Sequence, residues 1–239
     1  MIAAGAPGTG GVEAEAISAR LEAVRAEIAA ALRQAGRPAD GARLVAVSKG
    51  QPAAAIVAAA RAGQRTFGEN YAREMREKRS GLGALADTLE WHFIGRVQAG
   101  NARDIATAAL VHGVGSRGQA EALSARAKDV LPVLLQVSLW GESSKNGFDE
   151  EALARELEGL RELPRLAVRG LMAMPPPGAE PRAAFAAVRE LRDRRAPGLA
   201  ELSMGMSSDF REAILEGATL VRVGTAIFGE RIKKAGEVP

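Results

Sequence analysis

Lys49 stands directly behind an apolar run, in the segment VAVSKGQP at 45–52. It shares the parity of Val45 and Val47, so if those valines fill an interior, the lysine projects to the same side at its edge. Desolvation at such a place disfavours the ammonium and leaves an amine able to form an imine with an aldehyde. The competing reading is a lysine that snorkels from a strand end to solvent. Farther along, Ser207, Gly224 and Thr225 offer two hydroxyls and unpaired backbone N–H groups, with Gly224 allowing the close approach that a phosphate needs. An ordinary glycine turn accounts for the same residues. Arg222 lies between Val221 and Val223; if those valines face surrounding helices, the guanidinium points inward, where an unpaired charge is costly. It then needs a partner, either a structural carboxylate or a heteroaromatic nitrogen.

The elements that must position these groups alternate in type. Ile17, Leu21, Val24, Ile28 and Leu32 recur at three- and four-residue steps and stop at Gly36 and Pro38, which predicts an amphipathic helix. Strands are predicted at 43–47, 65–68, 90–95, 110–115, 130–139, 166–174, 199–204 and 219–223, with helices between them, for example at 72–80, 119–128, 149–160, 181–195 and 208–216. Strands alternating with helices pair in parallel through right-handed crossovers, and eight such units close a barrel. The expected fold is α/β, a single (β/α)8 TIM barrel with an N-terminal helical extension; an open sheet of about six strands is the second architecture. The expected organisation is a flexible tail at 1–16 and one barrel domain at 17–239. Active sites of such barrels lie at the C-terminal strand ends, with phosphate most often held after strands seven and eight. An imine-forming lysine, a phosphate pocket and an inward arginine at those ends are together the parts of a pyridoxal 5′-phosphate site, where the protein tunes the ring through the group facing its nitrogen.

Composition removes several alternatives. The 32 Lys and Arg are interleaved with 29 acidic residues, and aromatic residues are only 4% of the chain. That pattern describes solvated helix faces rather than a nucleic-acid surface, despite the net charge of +3. The chain has no Cys, which rules out disulfides, thiolate metal sites and a cysteine nucleophile and fits a reducing compartment. No apolar stretch approaches the roughly 20 residues of a spanning helix, so the expectation is a cytoplasmic protein free of membrane contact. The run GAPGTG at 5–10 imitates a P-loop, but Gly11 and Val12 stand where Lys and Ser or Thr are needed. His92 reads as a core histidine bonded to a neighbour or as an acid or base; Met172, Met174, Met204 and Met206 read as pocket packing. No spacing of His, Asp and Glu resembles a metal site.

Seven segments, VAVSKGQP at 45–52, FGENY at 67–71, WHFIG at 91–95, SSKNGF at 143–148, RGLMAM at 169–174, LSMGMSSDF at 202–210 and VRVGTAIFGER at 221–231, resemble the YggS/PROSC family of pyridoxal phosphate homeostasis proteins in order and spacing, and the likeness runs from Arg20 onward. The resemblance implies that Lys49 forms the Schiff base, that Asn70 lies beside the ring, that Ser207, Gly224 and Thr225 hold the phosphate, with Ser203 a further phosphate candidate, and that Arg222 faces the pyridine nitrogen. Lys145 matches a second family lysine thought to interact with the cofactor, though a loop lysine is an equal reading. One departure stands after Gln98, where the family has an Asn-Lys pair and this chain has Ala99, Gly100, Asn101 and Ala102.

The family resembles the barrel half of alanine racemase and the basic amino-acid decarboxylases, dimers whose partner subunit supplies a Tyr or Cys as the second acid or base. Here the chain ends at Pro239, soon after strand eight, and holds a single Tyr, Tyr71. A guanidinium cannot hand a full proton to the ring nitrogen, which leaves a weaker electron sink than a carboxylate partner would. The expectation is a monomer that stores, buffers or delivers pyridoxal phosphate, possible recipients being apoenzymes that need it, without significant catalysis. The alternatives are a racemase or related amino-acid enzyme and a Schiff-base aldolase acting on a phosphorylated sugar.

Overall fold

The computed structural model describes residues 9–140 and 147–230. Eight parallel strands close on themselves in chain order: β1 (Arg43–Val47), β2 (Thr66–Glu69), β3 (Glu90–Phe93), β4 (Leu110–Val114), β5 (Leu131–Val137), β6 (Leu166–Ala173), β7 (Glu201–Ser203) and β8 (Leu220–Val223). Pairing of β1 with β8, Val45 against Arg222 and Ala46 against Val223, excludes the open sheet. Helices α1 (Thr9–Gln34), α2 (Ala53–Arg61), α3 (Ala72–Leu82), α4 (Ala102–Ile105), α5 (Arg117–Arg126), α6 (Glu150–Arg161), α7 (Pro181–Arg195), α8 (Phe210–Leu215) and α9 (Thr225–Phe228) occupy the outer layer.

The period of two in each strand sorts its side chains into two cores. Val45, Leu110, Leu134, Met172 and Leu220 pack together inside the barrel. Ala46, Phe67, Trp91, Val111, Leu135, Leu171, Leu202, Val221 and Val223 belong to the larger core between barrel and helices. Arg222, between two outward valines, is therefore directed inward, as its parity predicts. Strand β4 departs from strict alternation: Val111 pairs with Val133 and Val114 with Leu135, a bulge that places one extra residue at His112 and Gly113 and re-aims the side chains there.

Helix α1 covers the closure between the first and last units. Its stripe Ile17, Leu21, Val24, Ile28 and Leu32 is buried, each side chain contributing roughly 1.5–3 kcal/mol of apolar burial. Arginines pin it and the following turn to helix ends: Arg20 donates to the Ile227 carbonyl at 2.6 Å, Arg25 to that of Ala62 at 2.8 Å and Arg37 to that of Ile214 at 2.8 Å. The helix begins at Thr9, so residues expected in the tail at 1–16 already belong to it; of the GAPGTG run, residues 5–8 lie outside the described residues. Residues 99–102, read only as a departure from the family pattern, form a short 3-10 turn and the first residue of α4. No helix among the described residues is long and apolar enough to cross a membrane.

Candidate functional site

Lys49 occupies the turn after β1, half-buried, and its neighbours are held from both sides. Ser48 is buried and donates to Glu69 Oε1 at 2.6 Å, while the Gly50 N–H donates to Glu74 Oε1 at 2.6 Å. Lys78 of α3 closes the cluster: its Nζ donates to the Ser48 carbonyl at 2.6 Å and lies 2.7 Å from both Glu69 Oε1 and Glu74 Oε1. Burial pushes the Glu69 carboxyl above the ordinary carboxylate range, opposed by the Lys78 charge and by hydrogen bonds from Lys78 and Ser48. The other oxygen of Glu69, Oε2, is buried with no hydrogen-bond partner. This cluster lies on the outer side of the wall, between β1, β2 and α3, so what it fixes is the backbone that carries Lys49.

Asn70 follows β2 with the inward parity of Gly68, and its Oδ1 is buried without a partner. A Cβ at residue 95 would lie 2.0 Å from the Asn70 carbonyl oxygen, so the end of β3 passes against Asn70 only because Gly95 has no side chain.

On strand β8, which neighbours β1, Arg222 is 5% exposed. Its Nη1 donates to Ser203 Oγ at 2.5 Å and its Nη2 to the Ala173 carbonyl at 3.1 Å, both uncharged acceptors. Burial lowers the guanidinium to about 10, opposed by the charge of Asp209, so it remains a cation at neutral pH. Five N–H donors on a guanidinium exceed these two bonds. Gly205 turns the chain after β7 at φ +90°, where a Cβ would meet that of Ala213 at 2.6 Å; the turn delivers Ser207. Ser207 Oγ accepts from the backbone N–H of Gly224 at 3.3 Å and of Ala226 at 3.4 Å. Thr225 opens α9 and is exposed. The structure thus brings Ser207, Gly224 and Thr225 together after β7 and β8.

Ser203 lies deeper than the phosphate turn. Expected as a phosphate contact, it is fully buried inside the barrel and its hydroxyl is engaged by Arg222 and by His112 Nδ1 at 2.8 Å. His92 is a buried histidine bonded to neighbours, 3.0 Å from His112 Nε2 and 2.9 Å from Glu90 Oε1. Met172 and Met204 are buried, whereas Met174 and Met206 are exposed at the mouth, as is Tyr71. Lys145 lies outside the described residues. No group of three or more His, Asp or Glu side chains that could hold a metal ion occurs among the described residues.

The sequence reading missed His112, Glu90, Glu69 and Lys78. A signal existed for Lys78, which continues the three-residue step of the buried Ala72 and Met75 of α3. His112 sits in a strand that is buried throughout and shares the inward parity of Leu110, so its direction follows ordinary alternation while its partners on other strands leave no local mark.

The alanine racemase N-terminal domain family matches residues 19–232. The pyridoxal phosphate homeostasis protein of Pseudomonas aeruginosa is 46% identical over 222 residues, covering 90% of this chain and 96% of that protein. The chain belongs to this family. The protein of the same name from Escherichia coli K12 is 40% identical over 226 residues, covering 90% and 97%. Among solved structures, PipY of Synechococcus elongatus with pyridoxal phosphate bound superposes with a TM-score of 0.77 at 40% identity, covering 89% of this chain and all of that one. The donor set at the mouth fits such a ligand on this chain's own observations: a lysine amine for the aldehyde, an unpartnered buried Asn70 oxygen, a buried cation with N–H donors to spare, and a hydroxyl at the start of a helix.

Proposed function

We propose that this chain binds pyridoxal 5′-phosphate as a Schiff base on Lys49 and acts in cytoplasmic cofactor homeostasis, by storage, buffering or delivery to apoenzymes, without significant catalysis. The observation that carries the reading is Arg222, a buried cation that among the described residues is hydrogen-bonded only to uncharged oxygens, at the same mouth as Lys49. Pyridoxal phosphate supplies an aldehyde for the lysine and an electron-withdrawing ring. Lys49 is the attachment point. Ser207, Gly224 and Thr225 hold the phosphate through hydroxyl and backbone N–H donors, Asn70 lies beside the ring, and Arg222 faces its nitrogen. A guanidinium keeps its proton, so the ring nitrogen stays unprotonated and carbanion chemistry is weakly supported.

Lys49→Ala tests the reading. Borohydride treatment of the loaded wild type, followed by mass spectrometry, is expected to place the cofactor on Lys49. The variant, still folded because the residue sits at the mouth and not in the packed layers, is expected to lose the visible band yet bind the cofactor reversibly and release it on dialysis. A cofactor trapped on a specific lysine of the variant, Lys145 first among those to check, overturns the assignment. Turnover of any amino acid in the usual enzyme range of roughly 1–1,000 per second overturns the non-catalytic part and favours a racemase.

A further inference from the structure

Five side chains form an unbroken hydrogen-bonded line through the barrel. Arg222 Nη1 meets Ser203 Oγ at 2.5 Å, Ser203 Oγ meets His112 Nδ1 at 2.8 Å, His112 Nε2 meets His92 Nδ1 at 3.0 Å and His92 Nε2 meets Glu90 Oε1 at 2.9 Å. Strands β8, β7, β4 and β3 each contribute. The line begins at the C-terminal mouth and ends at the N-terminal face, where Glu90 opens β3 beside Arg43 and Thr66, the first residues of β1 and β2. The three middle residues are fully buried, while the Glu90 side chain is 38% exposed. The N-terminal face of such barrels is the end associated with stability rather than chemistry.

The line has a direction. Glu90 is held at about 2, chiefly by the hydrogen bond from His92, so at neutral pH it only accepts and His92 Nε2 carries a proton. His112 is pushed well below the ordinary imidazole value, chiefly by burial, so it is neutral. If His112 Nε2–H donates to His92, Ser203 donates to His112 Nδ1 and is free to accept from Arg222, and every proton in the line has an acceptor. The reverse direction needs protons on both nitrogens of His92, a second cation in the interior, and takes from the Ser203 hydroxyl the acceptor that His112 provides. The forward direction wins.

We propose that Ser203, His112, His92 and Glu90 are positioning residues, a one-way relay that presents an electron-rich oxygen to Arg222 and fixes its guanidinium at the cofactor mouth from the opposite face of the barrel. The proposal rests on the reading that Arg222 faces the cofactor ring. A carboxylate at the far end polarises each bond in turn, so the relay stabilises the cation without placing an anion in contact with it, and its remaining N–H donors stay aimed at the mouth. In this arrangement the relay does for Arg222 what an outer-shell partner does for a metal-ligating histidine.

The chain has two histidines, so a histidine-labelled sample gives an uncrowded long-range 1H–15N spectrum. In the cofactor-free protein at pH 7.5, both rings are expected as Nε2–H tautomers, and Ser203→Ala is expected to shift His112 Nδ1 because its donor is gone. An Nδ1–H tautomer of either ring overturns the relay whether or not any cofactor binds. In the loaded protein, Ser203→Ala and His112→Gln are each expected to weaken pyridoxal phosphate binding about tenfold in equilibrium dialysis and to move its visible band. Both effects are expected to vanish in an Arg222→Leu background, which a general loosening of the fold would not produce. Equal effects with and without Arg222 overturn the proposal; wild type that binds no cofactor overturns the functional reading, leaving the tautomers to decide the relay.

Discussion

Lys78 and Arg222 are both basic side chains buried in the barrel wall, and their surroundings differ in kind. Lys78 is bracketed by two carboxylates, Glu69 and Glu74, at 2.7 Å each, with the Ser48 carbonyl as a third acceptor. Among the described residues, the Arg222 guanidinium is hydrogen-bonded to the Ser203 hydroxyl and the Ala173 carbonyl, with no carboxylate in contact. The first cation is neutralised by the fold and its ammonium has as many acceptors as protons. The second keeps its charge and some of its donors uncommitted, an arrangement whose cost is recovered only when a ligand supplies the missing acceptor. One cluster therefore reads as scaffold and the other as a receiving site, although they lie at the same end of adjoining strands.

Breaking one member of each separates the two roles. Lys78→Met leaves Glu69 buried beside Ser48 with its counter-charge gone, and the expected loss is about 3–5 kcal/mol in urea unfolding of the cofactor-free protein. Arg222→Met takes a donor from Ser203 and from Ala173 but also removes an unpaired buried cation. These effects oppose, and the expected change is under about 2 kcal/mol. Cofactor retention should rank the variants the other way, with Arg222→Met losing it sooner on dialysis. Equal losses of stability in the two variants would dissolve the distinction.

The two clusters also differ in how well the sequence announces them. Strand parity alone turns Arg222 inward and places Lys49 on the side of Val45, and every barrel strand lies within a few residues of its expected span because short apolar runs flanked by glycine and polar residues are local signals. The gathering of Ser207 with Gly224 follows from the eight-strand closure, which any count of strand–helix units can reach. Ser203 reads in sequence with its neighbours in the turn after β7, whereas its partners in space come from β4 and β8. His112 turns inward with the parity of Leu110, but its contacts with Ser203 and His92 depend on how separate strands meet, and Glu69 depends on a helix that brings Lys78 back over the strand end. Pairings set by tertiary register carry no period along the chain.

A smaller effect sharpens the receiving side of the comparison. Ser207→Ala removes a hydroxyl from the turn after β7 and leaves the N–H groups of Gly224 and Ala226 in place. The expected loss of pyridoxal phosphate affinity is about 1–3 kcal/mol, the scale of one hydrogen bond to a charged group, with the stability of the cofactor-free protein unchanged within about 0.5 kcal/mol. Pyridoxal without its phosphate should bind poorly to wild type and be indifferent to the substitution. Equal affinity of wild type for both forms would remove the phosphate from this turn.

The smallest expected effect comes from the relay and is read in acid. A base whose folded pKa lies below its unfolded value binds fewer protons when folded, so its contribution to stability is complete above the unfolded pKa and is lost as pH falls beneath it. His112 is such a base, pushed well below 6.5 chiefly by burial, and the loss begins near 6.5. Its limiting slope is about 1.4 kcal/mol per pH unit, and the loss between pH 6.5 and 5.5 is about 1 kcal/mol. Glu90 is a depressed carboxylate, at about 2 against an ordinary 4.5; its stabilisation is present above 4.5 and lost only between there and about 2, so it stays out of this window. Glu69, raised by burial, acts with the opposite sign but is common to both proteins compared. Urea unfolding of wild type and His112→Gln at pH 7.5, 6.5 and 5.5 isolates the term. Wild type is expected to lose stability across the lower interval and the variant to lose less, by about 1 kcal/mol. Parallel lines for the two proteins would mean that His112 takes up its proton inside the folded barrel, which would also cost Ser203 the acceptor on which the direction of the relay depends.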